Sequence, residues 1–100
     1  KHVERTRFLV HILSVEDVSL DNIFSGFELI NSELWKCSPD LAQKEQILVL
    51  NKIDLLSEED ISKLQETLSS YKQKIFLISA LSGKGVDQLL KAMWKKFYSQ

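Results

Sequence analysis

One hundred residues, 44% of them hydrophobic, suit one small globular unit with a feasible but thin core. With 13 basic against 14 acidic residues, a net charge of −1 argues against a broad nucleic-acid or membrane-surface footprint. No run approaches the ~20 apolar residues of a membrane helix, no signal-peptide pattern is read, and the lone Cys37 rules out an internal disulfide, so a reducing cytoplasm is the expected setting.

The chain opens at Lys1 without a methionine, in a helix-like run over residues 1–7, which reads as a cut or cleavage point and not a natural start. Residues 7–15 (RFLVHILSV) form a nearly continuous run of β-branched and aliphatic side chains, the pattern of a strand buried on both faces. His11 falls inside it and is expected to be a satisfied core residue. Ser19 is placed to cap a first helix whose apolar positions Ile23, Phe27, Ile30 and Leu34 recur at the helical period. Ser38-Pro39-Asp40 ends that helix, and Cys37 is expected to pack at its end.

A second buried strand spans residues 46–51 (QILVLN). Ser57 then caps a second helix, with Asp60 as a weak capping-box partner and Ile61, Leu64, Leu68 and Tyr71 as the inner stripe. Residues 74–79 (KIFLIS) form a third strand. A third helix follows, whose wide apolar face of Val86, Leu89, Leu90, Met93, Trp94 and Phe97 has to press on something. Strand and helix alternate throughout, which implies an α/β fold: a three-stranded parallel sheet with flanking helices joined by right-handed crossovers.

In such a sheet ligands bind beyond the carboxyl ends of the strands. Asn51-Lys52-Ile53-Asp54 leaves the second strand at that place. Guanine presents two adjacent donors, the ring N1–H and the exocyclic amine, and an ionised carboxylate at Asp54 accepts both. Adenine lacks the N1–H and would leave the carboxylate poorly paired, a loss on the order of 1.5–3 kcal/mol per bond. The aliphatic stem of Lys52 can cover the base face while its ammonium stays in water, and Asn51 carries a donor and an acceptor suited to bracing the neighbouring loop. The plainer reading is a polar strand exit in which Asn51 and Asp54 only shape a turn.

Ser79 follows Asp54 by 25 residues, room for one helix and one strand. The small Ala80 lets backbone N–H groups approach a base carbonyl, and Gly83 and Gly85 permit the positive backbone angles of a tight strand-to-helix turn. Alone, Ser79-Ala80-Leu81-Ser82-Gly83-Lys84-Gly85 is also an ordinary glycine-rich turn.

Asn-Lys-x-Asp at residues 51–54 with Ser-Ala-x at 79–81 resembles the base-specificity pair of P-loop GTPases. The flanking residues His2-Val3-Glu4-Arg5-Thr6-Arg7, Leu9-Val10-His11, Ser38-Pro39-Asp40-Leu41-Ala42 and Ser79-Ala80-Leu81-Ser82-Gly83 narrow the resemblance to the Obg subfamily, which are ribosome-associated GTPases. It implies the second half of a P-loop NTPase, Rossmann-like G domain, with Asn51, Lys52, Ile53, Asp54, Ser79, Ala80 and Leu81 holding the guanine of GTP or GDP. The chain departs from the pattern at Ser14, where many relatives are acidic, and in the unfamiliar stretch of residues 16–27.

A phosphate cradle of the form G-x-x-x-x-G-K-[ST] is not found, since the glycines are Gly26, Gly83 and Gly85 and Gly83-Lys84-Gly85 has neither the spacing nor the following hydroxyl. Ligands for Mg²⁺ and a residue to order an attacking water have no counterparts here either. Glu58-Glu59-Asp60 reads as a favourable helix N-terminus and not a metal site. This segment is therefore expected to be inactive by itself, within a parent protein that binds and hydrolyses GTP with Mg²⁺ and meets the ribosome or its RNA, but no membrane. Its first strand should present an unpaired edge open to self-association. Two other readings stand beside this one: a non-enzymatic, flavodoxin-like interaction domain, and a domain that naturally lacks the phosphate loop.

Overall fold

The computed structural model describes residues 8–71 and 73–98, so the helix-like reading of residues 1–7 lies outside the described residues. Three strands, β1 (Phe8–Ser14), β2 (Glu45–Asn51) and β3 (Ile75–Leu77), form a parallel sheet in the order β1-β2-β3. The expected fold class holds.

β2 is central, and its Ile47, Leu48, Val49 and Leu50 are all buried, which is why its sequence shows no alternation. Its side chains nevertheless point to opposite faces in turn. Leu48 and Leu50 meet Ile23 and Phe27 of α1 (Ile23–Cys37) and Leu64 and Leu68 of α3 (Glu58–Leu68). Ile47 and Val49 face the other way, onto Leu89, Val86 and Met93 of α4 (Val86–Tyr98). The sheet is thus sandwiched, with α1 and α3 on one side and α4 on the other. Tyr71, just past α3, stacks on Phe24 of α1 with ring centroids 4.3 Å apart and donates its hydroxyl to Glu28. Burial and the Glu28 carboxylate push the Tyr71 phenol up to about 12.

Several local expectations change. Ser19 makes no side-chain cap. A short 3-10 turn, Leu20–Asn22, intervenes, and α1 starts at Ile23. Ser38 ends α1, but Pro39 then occupies the first position of a four-residue helix, α2 (Pro39–Ala42), where its missing N–H costs nothing. Cys37 is exposed, so it is not a packing residue. Ser57 does cap α3, its hydroxyl accepting the Asp60 N–H at 3.1 Å. The apolar face of α4 is only partly covered: Leu89 is buried, while Leu90, Trp94 and Phe97 stay about half exposed or more. Ile12, aligned with Val49 and so on the same side of the sheet, is also exposed.

His11 is not a satisfied core residue. Its Nε2 is buried and, among the described residues, meets no hydrogen-bond partner. Burial holds its pKa below the ordinary value of 6.5, against an opposing hydrogen bond with Gln46. The unfolded chain then binds more protons than the native one near and below that value, so this contribution to stability is complete at higher pH and is lost on acidification. Urea unfolding at about pH 7.5 and about pH 5.5 should show a stability loss that is smaller in His11→Val. Equal losses in the two proteins would remove His11 as a cause.

Candidate functional site

The carboxyl ends of the parallel strands lie side by side, and three loops leave there. The loop after β2 begins at Asn51. Lys52 takes a left-handed backbone conformation, φ 68°, an arrangement costing a non-glycine residue on the order of 1–2 kcal/mol. Its N–H is held by Asn51 Oδ1 at 2.7 Å, which offsets part of that strain. A single 3-10 turn, Ile53–Leu55, follows, closed by the Leu55 N–H on Lys52 O at 3.0 Å. Ile53 is buried and plugs the loop onto the core, so its part is anchoring and its side chain is not presented outward.

The loop after β3 is bound to the first by backbone bonds that continue past the last strand residue. Ile78 N–H donates to Leu50 O at 2.9 Å, and Ile53 N–H donates to Ile78 O at 3.2 Å. This lattice presents Ser79 inward, fully buried. The Ser79 hydroxyl donates to Asp54 Oδ1 at 2.7 Å and accepts the Ser82 N–H at 3.1 Å, while Asp54 itself stays exposed. A carboxylate has about four lone-pair positions. One is used here to fix its plane, and the rest remain to accept a ligand's donors.

Asn51 spans the two loops, since its Oδ1 also accepts the Ala80 N–H at 3.0 Å. The donor expected to approach a base carbonyl is therefore bound to Asn51 in this state, and a base would share it or turn the amide aside. Leu81 is 90% exposed, at the rim. Gly83 and Gly85, at φ 85° and 79°, make the turn into α4, and Gly83 N–H closes it on Ser79 O at 2.7 Å. The structure thus brings Asn51, Asp54, Ser79 and Ala80 into one hydrogen-bonded group, with Lys52 and Leu81 at its edges and Ile53 beneath.

Sequence reasoning missed the third loop, after β1. Val15 N–H donates to Asn51 O at 3.1 Å, and Glu16, with its own N–H on Ser14 Oγ at 3.1 Å, forms an ion pair with the Lys52 ammonium. Topology holds the signal for it: an acidic residue just beyond one parallel strand faces the exit of the next.

The donor and acceptor set fits a flat base with adjacent N–H groups.

No family model matches the chain. Curated proteins called GTPase Obg do. The one from Oleidesulfovibrio alaskensis is 52% identical over 95 residues, which is 95% of this chain and 26% of that protein. That of Aquifex aeolicus is 42% identical over 97% of the chain and 29% of its own length, and that of Thermosynechococcus vestitus 38% identical over 96% and 28%. The chain spans about a quarter of the length of the relatives it matches. Over nearly its whole length it is a homologue of one segment of the Obg-type GTPases.

Proposed function

We propose that this chain is the base-recognition half of the G domain of an Obg-like GTPase, residues 1–100 reading guanine while a phosphate-binding half lies elsewhere in a longer protein. The observation that carries the reading is the Asp54 carboxylate, held by the buried Ser79 hydroxyl at 2.7 Å and flanked by the Asn51–Ala80 bridge. Asp54 accepts the two donors of guanine, the Lys52 stem covers one face of the base, and Ala80 with Leu81 borders its carbonyl edge. The full-length protein would bind GTP and GDP, hydrolyse GTP with Mg²⁺ held by its other half, and work with the ribosome in the cytoplasm. The segment by itself reads the base and leaves hydrolysis to that other half. In the full-length protein, GDP should displace a fluorescent GDP analogue at far lower concentration than ADP. Equal displacement would overturn the guanine reading.

The edge of β1 supports the division into halves. Among the described residues β1 is paired on one side only, and its Ile12 is exposed. An apolar strand with a free edge is a template for further pairing. The isolated 100-residue chain should therefore be marginally stable or associate with itself through that edge. A dilute, well-folded monomer with a high melting temperature in sedimentation and thermal unfolding would contradict this.

A further inference from the structure

Glu16 lies outside both motifs proposed to read the base, yet it is bound to Lys52, which belongs to the first of them. Its loop is fixed from two sides: Val15 N–H is tied to the backbone of Asn51, and Glu16 N–H to the Ser14 hydroxyl. The carboxylate so placed takes the Lys52 ammonium. The Lys52 backbone is in the left-handed region with its N–H on Asn51 Oδ1, which sets the direction in which the side chain starts, while the long flexible stem can still turn. The charged end of that stem rests on the Glu16 carboxylate.

Asp17 and Asp54 are other carboxylates whose charges act on Lys52. Asp54 is the group that has to accept the base. A lysine that swung onto Asp54 would occupy the acceptor sites guanine needs.

We propose that Glu16 is a positioning residue of the guanine site: it tethers the Lys52 ammonium to the β1 loop, which keeps the Lys52 stem alongside the base plane and leaves the Asp54 acceptor positions that Ser79 does not use open for the base. This rests on the guanine reading above and adds to it a specificity element from a loop that neither sequence motif includes.

The pair is solvent-exposed, with side-chain exposures of 50% for Lys52 and 53% for Glu16, so its effect is modest and sensitive to salt. In the full-length protein, Glu16→Gln should weaken GDP binding about two- to fivefold at low ionic strength, and less at high salt. Glu16 is exposed, so the variant should fold and melt as the parent does. The loss should disappear when Lys52→Met is already present, because the ammonium that needs restraining is then gone. A purely structural role for Glu16 would give the same loss in both backgrounds, and that result overturns the proposal. So does unchanged GDP affinity in Glu16→Gln. If the parent protein itself fails to prefer GDP over ADP, the guanine reading falls and this inference falls with it, whereas a GDP-selective parent with a silent Glu16→Gln overturns the inference alone.

Discussion

Asp54→Asn in the full-length protein should lose guanine nucleotides and gain xanthine ones. On the proposed reading the carboxylate would accept from both N1–H and the exocyclic amine, whereas an amide accepts one and presents an N–H₂ to the other. Each charge-assisted bond lost is worth on the order of 1.5–3 kcal/mol, which is roughly one to two decades of affinity. Xanthine carries a carbonyl where guanine has its amine, so the amide pairs with it fully, oxygen to N1–H and nitrogen to carbonyl. The preference of GDP over XDP should therefore reverse. Ser79 makes the effect clean, because its hydroxyl, 2.7 Å from Oδ1, can donate to an amide oxygen as it does to a carboxylate oxygen and keeps the side chain in place. A variant whose GDP-to-XDP ratio equals that of the parent would remove Asp54 from base recognition.

Gly85→Ala should be the most damaging single methyl group in the site region. A Cβ there would overlap the Leu77 carbonyl oxygen, far inside the 3.0 Å that real Cβ atoms keep, and would lie 3.3 Å from Leu77 C and 3.4 Å from Ile78 Cα. These are backbone atoms and cannot turn away. The positive φ of 79° adds strain of its own. The cost should be on the order of 3 kcal/mol, lowering the Tm of a domain of this size by about 12–24 °C. Gly83→Ala is the internal control, since its φ is also positive but nothing lies within 4 Å of the added carbon. It should cost only about 1 kcal/mol. Thermal unfolding of the two variants separates contact from strain, and equal shifts would show that the Leu77 overlap does not matter. The overlap also bears on the site, because Leu77 leads directly into Ile78, whose carbonyl holds the Ile53 N–H beneath Asp54.

The two properties that made the site legible were local. Residues 46–51 are an unbroken apolar run because β2 is buried on both faces, so the strand and its polar exit at Asn51 are plain in the sequence. The spacing from Asp54 to Ser79 fits one helix and one strand, and the structure joins those two residues by a hydrogen bond. The third strand was harder to end. It stops at Leu77, yet Ile78 still pairs with Leu50, so its ladder outlasts its regular geometry and Ser79 sits just beyond.

What was not legible was tertiary. Ser19 has the right chemistry for a cap, but the chain inserts a 3-10 turn before α1 and strands it. The apolar stripe of α4 is a true helical stripe, and whether the sheet is wide enough to cover it is not a property of the stripe. Leu90 and Trp94 remain outside a sheet of three strands. His11 reads as core by its neighbours, while the missing partner for Nε2 depends on what α1 brings over β1. The Glu16–Lys52 pair joins residues 36 apart through adjacent strand ends, so only the sheet order reveals it.

The central claim is that Asp54 reads guanine. The measurement that meets it most directly is a crystal structure of the full-length protein with GDP. Both base donors, N1–H and the exocyclic amine, should lie within hydrogen-bond distance of the Asp54 carboxylate, about 2.7–3.0 Å, with Ser79 still bound to Oδ1 and the base carbonyl toward Ala80. A guanine seated elsewhere, with Asp54 open to solvent and bonded only to Ser79, would contradict it.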